Sequence, residues 1–253
     1  MHILIDFCDP HGTDAALKCA FAAPRQTLVA HTLSEVKPLL DAVDALSQQG
    51  FWCVGYLRYE AAPAFDTAFS VHQGDGPLAW FGIYEEALPW PEPPADKALA
   101  RPQEPTKLPP PARLAWHQSL SRADFARHMA SIHQAIAAGD YYQVNFTAPL
   151  QAEFSGQPLD LFQRLHRAQP KGYAAFIDTG MEHVLSVSPE LFFDWQPGQP
   201  GDSGTILTRP MKGTAPRGSS AEQDLALTQA LVASAKERSE NVMIVDLLRN
   251  DLS

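Results

Sequence analysis

Lys212 stands in the stretch "TRPMKGTAPRG", Thr208 to Gly218, where Pro210 precedes it by two residues and Gly213 follows it. Proline presets φ and glycine admits the conformations of a tight turn, so the backbone around this amine is constrained. Taken alone, a lysine in such a place is a solvated turn residue. Glu190, in "SVSPELFF", is its partner by spacing: the two are equidistant from Gly201, inside the turn-rich stretch Gln196 to Gly204. A regular hairpin about Gly201 sets Glu190 opposite Lys212, with Cβ atoms about 4.5–5.5 Å apart. An acid and an amine would then face one site from paired strand ends. The alternative is a cross-strand salt bridge at a sheet edge, worth little if exposed.

Two other groups of polar residues could join them. Glu237, Glu240 and Asn241 follow Ser234 at three- and four-residue offsets and share a helix face. A carboxylate there can hold a hard cation, since Mg²⁺ takes one or two protein oxygens and leaves the rest to water and substrate. Pairing of Glu240 with Lys236 at i,i+4 is the competing explanation. In "YYQVNFT", a strand would place Gln143 and Asn145 on one side by its period of two, as uncharged donors and acceptors. An exposed strand face explains them equally.

The elements that must position these residues are legible from periodicity and punctuation. Val36, Leu39, Leu40, Val43 and Leu46 mark a helix with Ser34 as N-cap and Gly50 as its stop. "FWCVGYLRYE" and "PLAWFGIYEE" are strand-like. Nine prolines between Pro89 and Pro111 make an extended connector. Ser121 caps a second helix with Asp124 at the capping-box position, Phe125, Met129, Ile132 and Ile136 form its stripe, and Gly139 ends it.

Beyond it, "YYQVNFTAPLQAEF" is strand-like, a short helix spans about Leu159 to Ala168, and "YAAFID" and "HVLSVSPELFFDW" predict two more strands. "TILTRP" returns to the lysine loop. Ser220 to Leu252 is helical, with Leu225, Ala230, Ala233, Val242, Val245 and Leu248 as its buried side. Three segments result: 1–86, a proline-rich connector 87–114, and 115–253. Separated strands and helices without a βαβ repeat indicate an α+β fold of mainly antiparallel sheets with flanking helices.

Composition narrows the function classes. The 253 residues are 45% apolar and 19% charged, ordinary for a globular protein. A net charge of −10 without a Lys/Arg stripe speaks against nucleic acid. No apolar run reaches the ~18 residues of a membrane span. Cys8, Cys19 and Cys53 lack metal spacing, and a reducing cytoplasm suits them. There is no HExxH, GxGxxG or GxxxxGKS.

Read in order, "GDYYQVNFT", "SVSPELFF", "TRPMKGTAPRG" and "SAKERSENVMIVDLLRNDL" resemble the motifs of the chorismate-utilising enzymes. The first two strand-like runs are similar to that family's N-terminal half, so the resemblance covers nearly the whole chain. It implies roles residue by residue. Lys212 matches the nucleophile that attacks C2 of the chorismate ring, and Glu190 the general acid that assists departure of the C4 hydroxyl. Gly213 and Thr214 match a substrate-binding pair, and Glu240 a Mg²⁺ ligand.

Alanine replaces the lysine in anthranilate synthase, and a water-activating lysine replaces Gln143 in isochorismate-type synthases. Lys212 with Gln143 therefore resembles the branch of aminodeoxychorismate synthase component I. That branch makes 4-amino-4-deoxychorismate for para-aminobenzoate and folate, with ammonia from a glutamine amidotransferase subunit. In the family a further half follows "RNDL", so the expectation is the N-terminal part of a longer enzyme. The alternatives are anthranilate synthase component I, and a catalytically silent fragment.

Overall fold

The computed structural model describes residues 3–8, 17–91, 114–198 and 203–252. Residues 1–91 and 158–253 form one compact unit, and residues 92–157 a second.

In the larger unit, β1 (Ile3–Phe7) lies at the centre of a five-stranded antiparallel sheet. Its neighbours are β2 (Leu17–Phe21) and β9 (Tyr173–Asp178), flanked by β6 (Leu88–Pro89) and β10 (His183–Ser188). Ile3 pairs with both Phe21 and Ile177. The segments 1–86 and 115–253 thus share this sheet. A second sheet carries β3 (Gln26–Ala30), β5 (Ala79–Tyr84) and β4 (Trp52–Leu57) in that order.

Alternation along each strand stacks the layers, because successive side chains point to opposite faces. Ile3, Ile5, Phe21 and Ile177 meet Trp80 and Tyr84 of the second sheet. On the reverse face of the first sheet, Leu4, Ala20, Ala174 and Phe176 close over Phe162 of helix α3 (Pro158–Ala168). On the reverse face of the second sheet, Ala30, Ala79 and Phe81 pack against Val36 and Leu39 of helix α1 (Leu33–Gln48). Helix, sheet, sheet and helix therefore follow one another, with both sheets covered on both faces. A short 3₁₀ helix, Tyr59–Ala64, follows β4 and adds Ala61 to the last cluster.

Polar contacts tie the layers together. Asp6, buried on β1, receives Lys18 Nζ of β2 at 3.1 Å and His166 Nε2 of α3 at 3.0 Å. Glu182 in the β9–β10 turn accepts from the Tyr56 hydroxyl and pairs with Arg58. The cap of α1 is Thr32 rather than Ser34. Glu35 explains the shift: its carboxylate accepts the His31 and Thr32 N–H groups at 2.8 and 2.9 Å, and these bonds hold it below the usual carboxylate range.

Helix α2 (Arg122–Ala138) belongs to the smaller unit. Ser121 Oγ caps it by accepting from the Asp124 N–H, and Gly139 at φ 85° ends it, as the sequence predicts. Its stripe is not buried, however: Phe125 and Ile136 are exposed. The expected strand through Tyr141–Phe154 shrinks to β8 (Leu150–Gln151), paired only with β7 (His117–Gln118). A ladder needs a partner strand, and Tyr141–Pro149 has none among the described residues.

Helix α3 (Pro158–Ala168) matches expectation. The long C-terminal helix is two helices, α4 (Ala221–Ala233) and α5 (Ala235–Asp251), broken at Ser234, whose ψ of 115° is not helical. Their expected buried side is exposed, with Leu225, Val242 and Val245 between 49% and 69% accessible, because nothing among the described residues packs over it. The proline-rich connector falls mostly outside the described residues, and no described helix is long and apolar enough to cross a membrane.

Candidate functional site

The predicted strand "HVLSVSPELFFDW" is two strands, β10 and β11 (Leu191–Gln196), because Pro189 has no N–H with which to continue a ladder. Ser188 closes the corner: its hydroxyl donates to the Glu190 carbonyl at 2.9 Å and accepts the Glu190 N–H at 3.2 Å. Gly172 lies beneath, where a Cβ would come within 2.6 Å of the Ser188 carbonyl oxygen. Only a bare Cα fits against that backbone oxygen. Glu190 therefore occupies a fixed corner between two sheets.

Strand β11 pairs with β12 (Thr205–Arg209). Asp194 faces Leu207, but Leu191 faces Arg209, so β11 carries one extra residue at Phe192–Phe193. This is a β-bulge, which inserts a residue and re-aims side chains. One step outward from the Leu191–Arg209 pair, Glu190 falls opposite Pro210. The expected opposition of Glu190 and Lys212 is thereby corrected, and Gly201, the expected centre, lies outside the described residues. The cross-strand salt bridge is absent as well. Instead, Glu190 Oε1 accepts the Met211 N–H at 2.8 Å, on the residue next to Lys212.

Lys212 and Gly213 are half-buried, while Thr214 is exposed. Gly213 is left-handed, at φ 74°. A Cβ there would sit 2.5 Å from Glu237 Oε2. Backbone conformation favours glycine here, and the Glu237 side chain of α5 crowds the space that a Cβ would take. Ser234 fixes the start of α5, since its hydroxyl caps the helix by accepting the Glu237 N–H at 3.4 Å.

On the same helix, Lys236 Nζ stands 3.8 Å from one oxygen of Glu237 and 3.8 Å from one of Glu240. The i,i+4 pair anticipated for Glu240 is present. No cluster of three or more metal-ligating residues exists among the described residues. Gln143 and Asn145 are exposed and lie in the smaller unit, outside any strand. Sequence reasoning overlooked Asp224, which accepts the Gly218 N–H at 2.8 Å and pairs with Arg217 at 2.7 Å. Its signal was the Ser220-x-x-Gln223 cap signature, which places Asp224 in the first turn of a helix directly behind the lysine loop.

Comparison with known proteins gives a consistent result. A model of the family described as "chorismate binding enzyme" matches residues 9–253. The chain is 36% identical over 154 residues to aminodeoxychorismate synthase component 1 of Salmonella typhimurium, covering 61% of this chain and 33% of that protein. It is 37% identical over 138 residues to anthranilate synthase component 1 of Streptomyces coelicolor, covering 54% and 26%. The chain thus spans about a third or less of these relatives' length. Its fold is shared with the crystal structure of anthranilate synthase component I from Streptococcus pneumoniae TIGR4, at TM-score 0.61 and 19% identity, over 98% of this chain and 60% of that one.

Proposed function

From the premise that the chain belongs to the chorismate binding enzyme family, we propose that it carries the lysine half of an amination site converting chorismate to 4-amino-4-deoxychorismate. The observation that supports this best is the tie between Glu190 and Met211, which holds an acid beside the residue preceding Lys212. Relatives of both synthase types share the family, and Lys212 inclines the reading to the amination branch.

In this reading the Lys212 amine bonds to C2 of the ring, the double bond shifts, and the C4–O bond breaks. Glu190 gives a proton to the departing hydroxyl, which leaves as water, because hydroxide is a poor leaving group. Ammonia then bonds to C4, the double bond returns, and the C2–N bond to Lys212 breaks. Chorismate and ammonia become 4-amino-4-deoxychorismate and water. The Gly213 N–H and the Thr214 hydroxyl contact the substrate beside the amine. A glutamine amidotransferase partner supplies the ammonia, and the setting is the cytoplasm.

Glu240 would hold Mg²⁺. The donor chemistry fits, since Glu237 and Glu240 present hard oxygens drawn to one ammonium, that of Lys236. Bound there, the ion would screen the charge of the ring carboxylate.

The test is product identity and covalency. The intact protein, given chorismate and an ammonium salt, should form 4-amino-4-deoxychorismate. With chorismate alone, mass spectrometry should find an adduct on the peptide holding Lys212. Lys212→Ala should abolish both, and Lys212→Arg should fare no better, since a guanidinium stays protonated. Anthranilate as product, or normal turnover by the arginine variant, overturns the reading.

A further inference from the structure

Resting on that reading of Lys212, we propose that Asp224 is a positioning residue that holds the Lys212–Gly213–Thr214 loop in its working conformation. No ladder restrains Pro210–Ser219. Its near end is tied by the Met211 N–H to Glu190, and its middle is backed by Glu237 at Gly213.

Asp224 secures the far end. Oδ1 accepts the Gly218 N–H at 2.8 Å, and Oδ2 receives Arg217 Nη2 at 2.7 Å. The Arg217 side chain is 90% exposed against 26% for Asp224, so water competes for the ion pair while the backbone contact stays partly sheltered. Gly218 is pressed onto the helix: a Cβ there would lie 2.3 Å from the Asp224 nitrogen and 2.8 Å from its Cα. These are backbone atoms and cannot swing aside. Gln223 reinforces the seat by accepting the Ser219 N–H at 2.7 Å.

A loop fastened at Met211 and at Gly218 has few conformations in which to place the residues between. Releasing one end loosens Lys212 without touching it. Misplacement of a reacting group by about 1 Å costs on the order of a hundredfold in rate.

Asp224→Ala and Asp224→Asn in the intact protein test this, because asparagine keeps an acceptor for the Gly218 N–H and loses the ion pair. With alanine, amide exchange should rise about tenfold at Lys212, Gly213 and Gly218 and stay unchanged in β1 and β9, while kcat falls roughly ten- to a hundredfold. Asparagine should restore kcat to within about threefold. Exchange that rises equally everywhere, an alanine variant with normal kcat, or an asparagine variant as slow as alanine would each overturn the proposal. Should the alanine variant fail to fold, Asp224→Asn and Arg217→Ala decide it: both should keep kcat within about threefold, and loss in either refutes the backbone tie. An active Lys212→Ala protein sinks the reading of Lys212 and this inference together. A loop that loosens in Asp224→Ala while kcat holds sinks this inference alone.

Discussion

Glu190 Oε1 accepts the Met211 N–H at 2.8 Å, so a side chain from the β10–β11 corner reaches across the β11–β12 pair to the backbone just before Lys212. One carboxylate oxygen is engaged in holding the loop, and the acid is placed by the loop it holds. Glu190→Gln tests whether it also moves a proton. The amide can still accept from Met211 but cannot supply an acidic proton, so kcat should fall about a hundredfold or more while the melting temperature stays nearly constant. Steady-state kinetics beside calorimetry provide the check, and a change of less than about threefold would leave Glu190 with the structural task only.

Gly213→Ala should be costly for two separable reasons. The left-handed backbone at φ 74° strains an L side chain by about 1 kcal/mol or more, and the new methyl meets Glu237. Adding Glu237→Ala should recover the steric part and leave the backbone part, so the double variant should unfold in urea between the single variant and the wild type. Full recovery would show that the conformation was never the constraint.

Tyr84→Phe should stabilise the protein by about 1 kcal/mol. The hydroxyl is buried against Gly82 and has no hydrogen-bond partner, a cost that phenylalanine removes with little change of shape. Burial also pushes the Tyr84 phenol up to about 12. A folded pKa above the unfolded value of about 10 means stability present below pH 10 and lost as pH rises towards 12. Denaturant titrations at pH 8 and 11 should show a smaller alkaline loss in the phenylalanine variant, and a destabilised variant would point to an ordered water on the hydroxyl.

Glu182 sets the acid side. Burial raises its carboxyl, but the bonds from Arg58 and Tyr56 outweigh burial and leave it lowered. Its contribution is present above the unfolded pKa of about 4.3 and is lost as pH falls through the lower folded value. Glu182→Gln should therefore flatten the decline of melting temperature below about pH 4.3. An unchanged acid limb would show that the ion pair does not couple Arg58, just past β4, to the β9–β10 turn.

By itself, the sequence determined what depends on neighbours along the chain. The Ser121 cap and Gly139 stop of α2 and the left-handed backbone at Gly213 beside Lys212 arise within a few residues of chain, and all are present. The motif order also carried the family, because residue types at a site are written in the chain whatever the fold does between them. Tertiary structure alone decided what depends on partners far away. Strand β1 pairs with β9 across more than 160 residues, and no local signal names that partner. The same limit hid the register of the β11–β12 pair: the ladder at Trp195–Ile206 already runs one residue off the expected centre, and the bulge at Phe192–Phe193 adds a second, so Glu190 falls opposite Pro210 and its carboxylate reaches the Met211 N–H. Register follows from turn and bulge geometry together, and neither is written in the alternation of a single strand. Gln143 makes the opposite case: its strand-like residues form no ladder where no described strand lies beside them, since β-structure belongs to the pair and not to the strand.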